Sequence, residues 1–203
     1  MNENLSTTTA HGELFEIRRM LARAGAFDGY RSAPVAFSGA LALLAGAVQR
    51  WLHPSPTGFV ALWVTTAAVG FLVNFGVIAR AYGASPRQWE RSLAFAALLD
   101  LLPAMVGGTL LTVALIARGS VDLLPGTWMI LYGTGVLASR RHVPRPCAWI
   151  GLAYTAAGAA TLLLLPGGAA LRADVMAGAF GVGQFLLALV LARGGEEPAE
   201  GRP

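Results

Sequence analysis

The stretch "GFVALWVTTAAVGFLVNFGVIAR" (58–80) runs from Gly58 to Ala79 without a charged side chain and stops at Arg80. About 20 such residues in a helix cross the ~30 Å hydrocarbon core of a bilayer. Only a helix or a closed barrel satisfies its own backbone polar groups there, so the stretch is a candidate transmembrane helix. Five further apolar runs lie near 34–51, 93–117, 123–139, 147–166 and 173–192. The expected fold is therefore an all-α membrane protein of six transmembrane helices. The run 123–139, bounded by Asp122 and Arg140, is a few ångströms short at ~1.5 Å per residue and calls for local thinning or shielding in a homo-oligomer. The run 93–117 carries Pro103, which removes a backbone hydrogen bond and can kink or tilt the helix.

Composition agrees with this class. The 203-residue chain has 55% apolar and 13% charged residues, against roughly 25% charged in soluble domains. Cys147 is the one cysteine and the three histidines (His11, His53, His142) are scattered. An internal disulfide is excluded, and the residues point to no metal site and no cofactor. The pI is near 10, but the arginines sit in short tracts between apolar runs, where anionic phospholipid headgroups compete for them. Nucleic acid is not an expected partner, because no aromatic-plus-basic module is present.

Orientation follows from those arginines. Arg18, Arg19, Arg23, Arg31, Arg80, Arg87, Arg91, Arg140, Arg141, Arg145, Arg193 and Arg202 fall on one side of the alternating spans, and Arg50, Arg118 and Arg172 on the other. The positive-inside rule makes the first side cytoplasmic, with both termini. Trp51, Trp63 and Trp128 then lie towards the outer headgroup level, and Trp89 and Trp149 towards the inner one. Even-numbered spans end in "VIAR" (77–80), "LASR" (137–140) and "VLAR" (190–193). That pattern suggests three helical hairpins, although shared boundary chemistry accounts for it equally well.

Residues 1–33 form an N-terminal cytoplasmic segment lacking the basic-then-apolar pattern of a cleavable signal peptide, so they are expected to be retained. Within it, 12–27 reads as an amphipathic helix with Leu14, Ile17, Leu21 and Ala24 on one face and Glu13, Glu16, Arg19 and Arg23 on another. Ile17 and Leu21 could contact a partner protein or the headgroup region, and Arg140, Arg141 and Arg145 in "SRRHVPRP" (139–146) have the same two readings. Residues 34–192 are the transmembrane domain. The tail 193–203 has little to bury and is expected to be disordered.

Polar residues inside the apolar runs are the candidate site. Counted inward from the cytoplasmic arginine of each span, Ser38, Asn74, Asp100, Thr134, Tyr154 and Gln184 all lie about 9–13 Å in. Facing inward together, they would line a pocket open to the cytoplasm. Asp100, in "FAALLDLLPAM" (95–105), would be its only ionisable member apart from the Tyr154 phenol. An acid in a span must be hydrated, paired or protonated. Asp100 could bind a proton, cation or amine, or the six groups could be interhelical hydrogen-bonding glue. Small residues four apart, Ala42/Gly46 and Ala177/Gly181, mark close helix packing within one chain or between protomers.

The motifs "YGTGV" (132–136) and "GAFGVGQF" (178–185) faintly resemble a rhomboid intramembrane protease. The nucleophile position would be Thr134, however, and the sixth span has no histidine base. No metalloprotease or phosphate-loop signature occurs, so no enzyme activity is expected. The element "EIRRM" (16–20), followed by a span entered at "FSGALALLAGA" (37–47), is similar to a group of bacterial multi-pass membrane proteins with no assigned activity. Ile17, Arg18, Met20, Ser38 and Gly39 carry the match, and the Gly/Ala/Asp-containing connector departs from it. The resemblance implies a bacterial inner-membrane location. Two functions remain open: an accessory or regulatory subunit bound to a second membrane or cytoplasmic protein, or a small-solute or proton-coupled carrier built around Asp100.

Overall fold

The computed structural model describes the backbone at 32–83, 88–139, 144–165 and 167–194, with side chains in those ranges except at 78, 81–102 and 194. The expectations for 12–27, including Ile17 and Leu21, for Arg140 and Arg141, and for the tail from 195 onward fall outside these residues. The side chain of Asp100 does as well.

Among the described residues all regular structure is helical. Helix α1 is Ser32–Leu52, α2 Pro56–Gly83, α3 Gln88–Ala117, α4 Leu124–Ala138 and α5 Pro146–Leu164. The last helix, α6, covers 173–194 as three pieces: an α-helical start Ala173–Met176, a π-helical turn Ala177–Val182 and an α-helical remainder Gly183–Gly194. Five helical stretches are long and apolar enough to cross a membrane, and Pro103–Ala117 is a shorter apolar one. Large apolar side chains such as Leu72, Leu110, Val113 and Leu163 are exposed on the outside of the bundle. In water so much contiguous apolar surface would drive association, whereas lipid solvates it.

The helix ends are set by local chemistry. α1 stops at His53, a non-glycine residue held at φ 44° whose N–H still donates to the Gln49 carbonyl at 3.0 Å. Pro54 follows and cannot continue the helix. Ser55 caps α2: its Oγ accepts from the Gly58 N–H at 3.2 Å, and Pro56 takes the first helical position, where a missing N–H costs nothing. α3 closes in a Schellman motif, with Ser120 N–H donating to the Leu115 carbonyl at 2.9 Å and Gly119 N–H to that of Ile116 at 3.0 Å. Gly119 supplies the left-handed φ of 72° that the motif needs. The 3-10 turn Val121–Leu123 then leads into α4, so the short fourth apolar run is helical over 121–138.

Among the described residues the closest helix pairs are α4 with α5 and α1 with α6. In the first, Gly126 and Gly133 of α4 meet Gly158 and Gly151 of α5, where any β-carbon would strike the opposing backbone. In the second, Gly46 lies against Ala177, and Gly39 against the Gly181 carbonyl and Gln184. The small residues of the first and sixth runs therefore join helices of one chain. Trp63 is 4% exposed and Trp128 half-buried, with their indole N–H groups bonded inside the bundle, whereas Trp51 and Trp149 are exposed.

The core has two parts. Ala42, Ala45, Phe59, Trp63, Met129, Tyr154 and Met176 form one cluster, drawn from α1, α2, α4, α5 and α6. Val35, Cys147, Leu187, Ala188 and Leu191 form the other, near the end where α1 and α5 begin and α6 ends. Helix α3 is tied to α4 by Trp128, whose Nε1–H donates to Thr112 Oγ1 at 2.9 Å.

Candidate functional site

Two of the six polar residues expected to share a layer are directly bonded. Asn74 on α2 donates from Nδ2 to Ser38 Oγ on α1 at 2.9 Å and to the Gly70 carbonyl one turn back at 2.8 Å, with a longer approach to the Pro34 carbonyl at 3.4 Å. The Ser38 hydroxyl donates in turn to Pro34 O at 3.1 Å. The approach depends on Gly70, since a β-carbon there would lie 3.1 Å from Ser38 Oγ. The chain of donors begins at an amide and ends on a helix carbonyl. It is a fixed interhelical link whose described groups carry no charge.

Gln184 is buried and packs against α1 at Gly39, next to Ser38 in sequence. Tyr154 is buried on the other side of α6, against Gly183, with its ring 4.8 Å from that of Tyr132 and 5.7 Å from that of Phe180. Among the described residues the Tyr154 hydroxyl has no hydrogen-bond partner. Thr134 is exposed and its hydroxyl donates to the Leu131 carbonyl of its own helix at 2.9 Å. The structure thus joins Ser38 with Asn74, sets Gln184 against Gly39, puts Tyr154 in an aromatic cluster and turns Thr134 outward. Arg145 is exposed just before α5.

A second polar group, not anticipated from the sequence, lies at the opposite end of the bundle. Gln49 is buried on the last turn of α1, where it bridges two other elements. Its Oε1 accepts from Trp63 Nε1–H of α2 at 2.7 Å, and its Nε2 donates to the Leu171 carbonyl ahead of α6 at 2.5 Å. In the sequence Gln49 stands beside Arg50 at a span end, where any polar residue reads as interfacial. Only the convergence of Trp63 and Leu171 distinguishes it, and no local pattern announces that. Above this bridge is an open cavity of about 430 Å³ lined by Gln49, Arg50, His53, Pro54, Leu171, Arg172, Ala173 and Asp174. Arg172 clasps Asp174 through Nε to Oδ1 at 3.0 Å and Nη2 to Oδ2 at 2.8 Å, and this contact raises the Arg172 pKa further above its usual value.

Among the described residues no three His, Cys, Asp or Glu side chains come together as a metal site would require. No family model, curated protein or solved structure matches the chain.

Proposed function

We propose that the chain is a six-span protein of the bacterial inner membrane, with both termini cytoplasmic, and that it acts without enzymatic chemistry as an accessory or regulatory subunit of a membrane complex. The twelve-to-three division of arginines supports the orientation. The observation that carries the subunit reading is the Asn74–Ser38 bond. Two groups that a carrier would present to solute are instead spent on holding α1 to α2, the role interhelical polar pairs usually have in membranes. The commitment of Ser38 and Asn74 to packing favours action through the surface. The exposed faces of α2 and of α3 from Met105 onward are surfaces on offer, and the sequence reading adds the arginine-rich tracts and residues 12–27.

Native mass spectrometry of the tagged protein, gently extracted from its own membrane, tests this. The expected result is a second polypeptide in fixed stoichiometry. A monomer or homo-oligomer carrying a small bound mass that Asp100→Asn abolishes would replace the subunit reading with a carrier.

A further inference from the structure

We propose that the cavity formed by the end of α1 and the start of α6 binds a phosphate group. Arg50 and Arg172 both line it. They are two of only three arginines that the sequence puts at this end of the spans, the third being Arg118. They lie 122 positions apart, and their preceding residues, Gln49 and Leu171, are bonded to each other. Because Gln49 is buried and also holds Trp63, this bond is anchored in the core. The two guanidinium groups are therefore brought to one cavity by a structural link and do not sit there as independent surface charges.

The charge balance of the lining favours an anion. Asp174 already has both carboxylate oxygens engaged by Arg172. Among the described residues no carboxylate forms an ion pair with Arg50. Two arginines against one aspartate leave one positive charge. The Arg50 guanidinium presents a planar fork of N–H donors that matches the oxygens of a phosphate, Arg172 keeps the N–H groups that Asp174 does not engage, and the His53 imidazole N–H adds a further donor. At about 430 Å³ the cavity has room for a phosphate with a small substituent. Beside it on α1, Trp51 and Leu52 are exposed, as befits the level at which lipid phosphates lie. The phosphate can thus arrive as free anion or on a lipid. The lipid route rests on the membrane reading above, and the free-anion route does not.

The test uses the full-length protein, delipidated in an uncharged detergent. Its thermal unfolding is followed while inorganic phosphate, phosphatidylglycerol or diacylglycerol is titrated in. The expected result is a saturable rise in melting temperature with inorganic phosphate, or with phosphatidylglycerol but not with diacylglycerol, which lacks the phosphate. The first pattern identifies a free-anion site and the second a lipid-headgroup site. In either case Arg50→Gln weakens the apparent affinity about tenfold or more, the loss expected for one charge-assisted pair, and Arg118→Gln leaves it unchanged. Should Arg50→Gln fail to fold, Arg172→Gln carries the same expectation. The proposal is overturned if neither phosphate-bearing probe gives a saturable shift, if diacylglycerol acts as well as phosphatidylglycerol, or if Arg118→Gln weakens binding as much as the cavity variants. Failure here would leave the subunit reading standing, since native mass spectrometry tests that without reference to this cavity.

Discussion

Gly133 of α4 and Gly151 of α5 meet backbone to backbone: a β-carbon on Gly133 would lie 2.5 Å from the Gly151 carbonyl oxygen, and one on Gly151 would lie 3.0 Å from that of Gly133. Seven residues along each helix, Gly126 and Gly158 repeat the relationship, at 2.8 and 2.6 Å. Seven residues is close to two helical turns, so both contacts fall on the same seam and together fix the antiparallel register. Without a hydrophobic drive between helices in lipid, such close approach is what holds them together.

Replacing Gly133 with valine should therefore separate α4 from α5 locally and destabilise the protein by about 1–3 kcal/mol, the usual range for overpacking, and by more if the backbone cannot yield. Gly76→Ala and Gly107→Ala are the controls. Among the described residues a β-carbon at either meets nothing within 4 Å, and alanine is the better helix former by about 1 kcal/mol. Thermal unfolding in detergent should order the variants as Gly107→Ala at or above wild type and Gly133→Val well below. Equal melting temperatures for the two would disprove the seam.

The Ser38–Asn74 link makes a smaller claim. Asn74→Leu keeps side-chain volume but removes the donor to Ser38 Oγ, and should cost roughly 0.6–2 kcal/mol. Ser38→Ala should cost a similar amount, and the double variant little more than either single one, because both break the same bond. Strict additivity in a double-mutant cycle would show that the two residues act separately.

How much of this was legible in the sequence depends on whether the signal is periodic and local. The apolar runs placed the helices to within a few residues: 34–51 became Ser32–Leu52, and 147–166 became Pro146–Leu164. Ala42/Gly46 and Ala177/Gly181 marked the α1–α6 seam because small residues four apart share a helical face. The α4–α5 seam has its own signal, the seven-residue spacing of Gly126/Gly133 and Gly151/Gly158, which passes unnoticed in a chain with 25 glycines. Depth along a helix could be counted, but rotation about its axis could not, and rotation separates Thr134, facing out, from Ser38 and Asn74, facing each other. Gln49 was illegible for a different reason: its partners are 14 and 122 residues away.

Gln49→Leu should be among the more damaging single changes at that end of the bundle. It leaves the Trp63 indole N–H without its acceptor and removes the donor to the Leu171 carbonyl. Each buried polar group so stranded costs about 1–3 kcal/mol. Adding Trp63→Phe removes the stranded N–H and should recover part of the loss. If the double variant is less stable than Gln49→Leu by the full cost of Trp63→Phe alone, the Gln49–Trp63 bond is not contributing.

Tyr154 gives the opposite sign. Its buried hydroxyl has no partner among the described residues and lies against Gly183. Tyr154→Phe removes an unsatisfied polar group while keeping the ring among Tyr132 and Phe180, so stability should stay the same or rise by about 1 kcal/mol. Gly183→Ala drives a methyl group into the phenol and should destabilise the wild type more than it does Tyr154→Phe, which lacks the obstructing oxygen. A marked loss of stability in Tyr154→Phe would instead reveal a bound molecule or a neighbouring group that the hydroxyl serves.

Topology can be read with a single thiol reagent because the native cysteine is silent. Cys147 is fully buried on the first turn of α5, so a membrane-impermeant maleimide should leave it unlabelled in the folded protein. Gly168→Cys lies between α5 and α6, where the added side chain meets nothing within 4 Å, and Arg145→Cys is exposed at the other end of α5. With cytoplasmic termini, Gly168→Cys should label in spheroplasts, while Arg145→Cys should label only after the membrane is permeabilised. The reverse pattern would invert the protein and move the phosphate cavity, with Arg50 and Arg172, to the cytoplasmic face. Labelling of both before permeabilisation would mean that α5 does not cross the bilayer, and the six-span reading would fail with it.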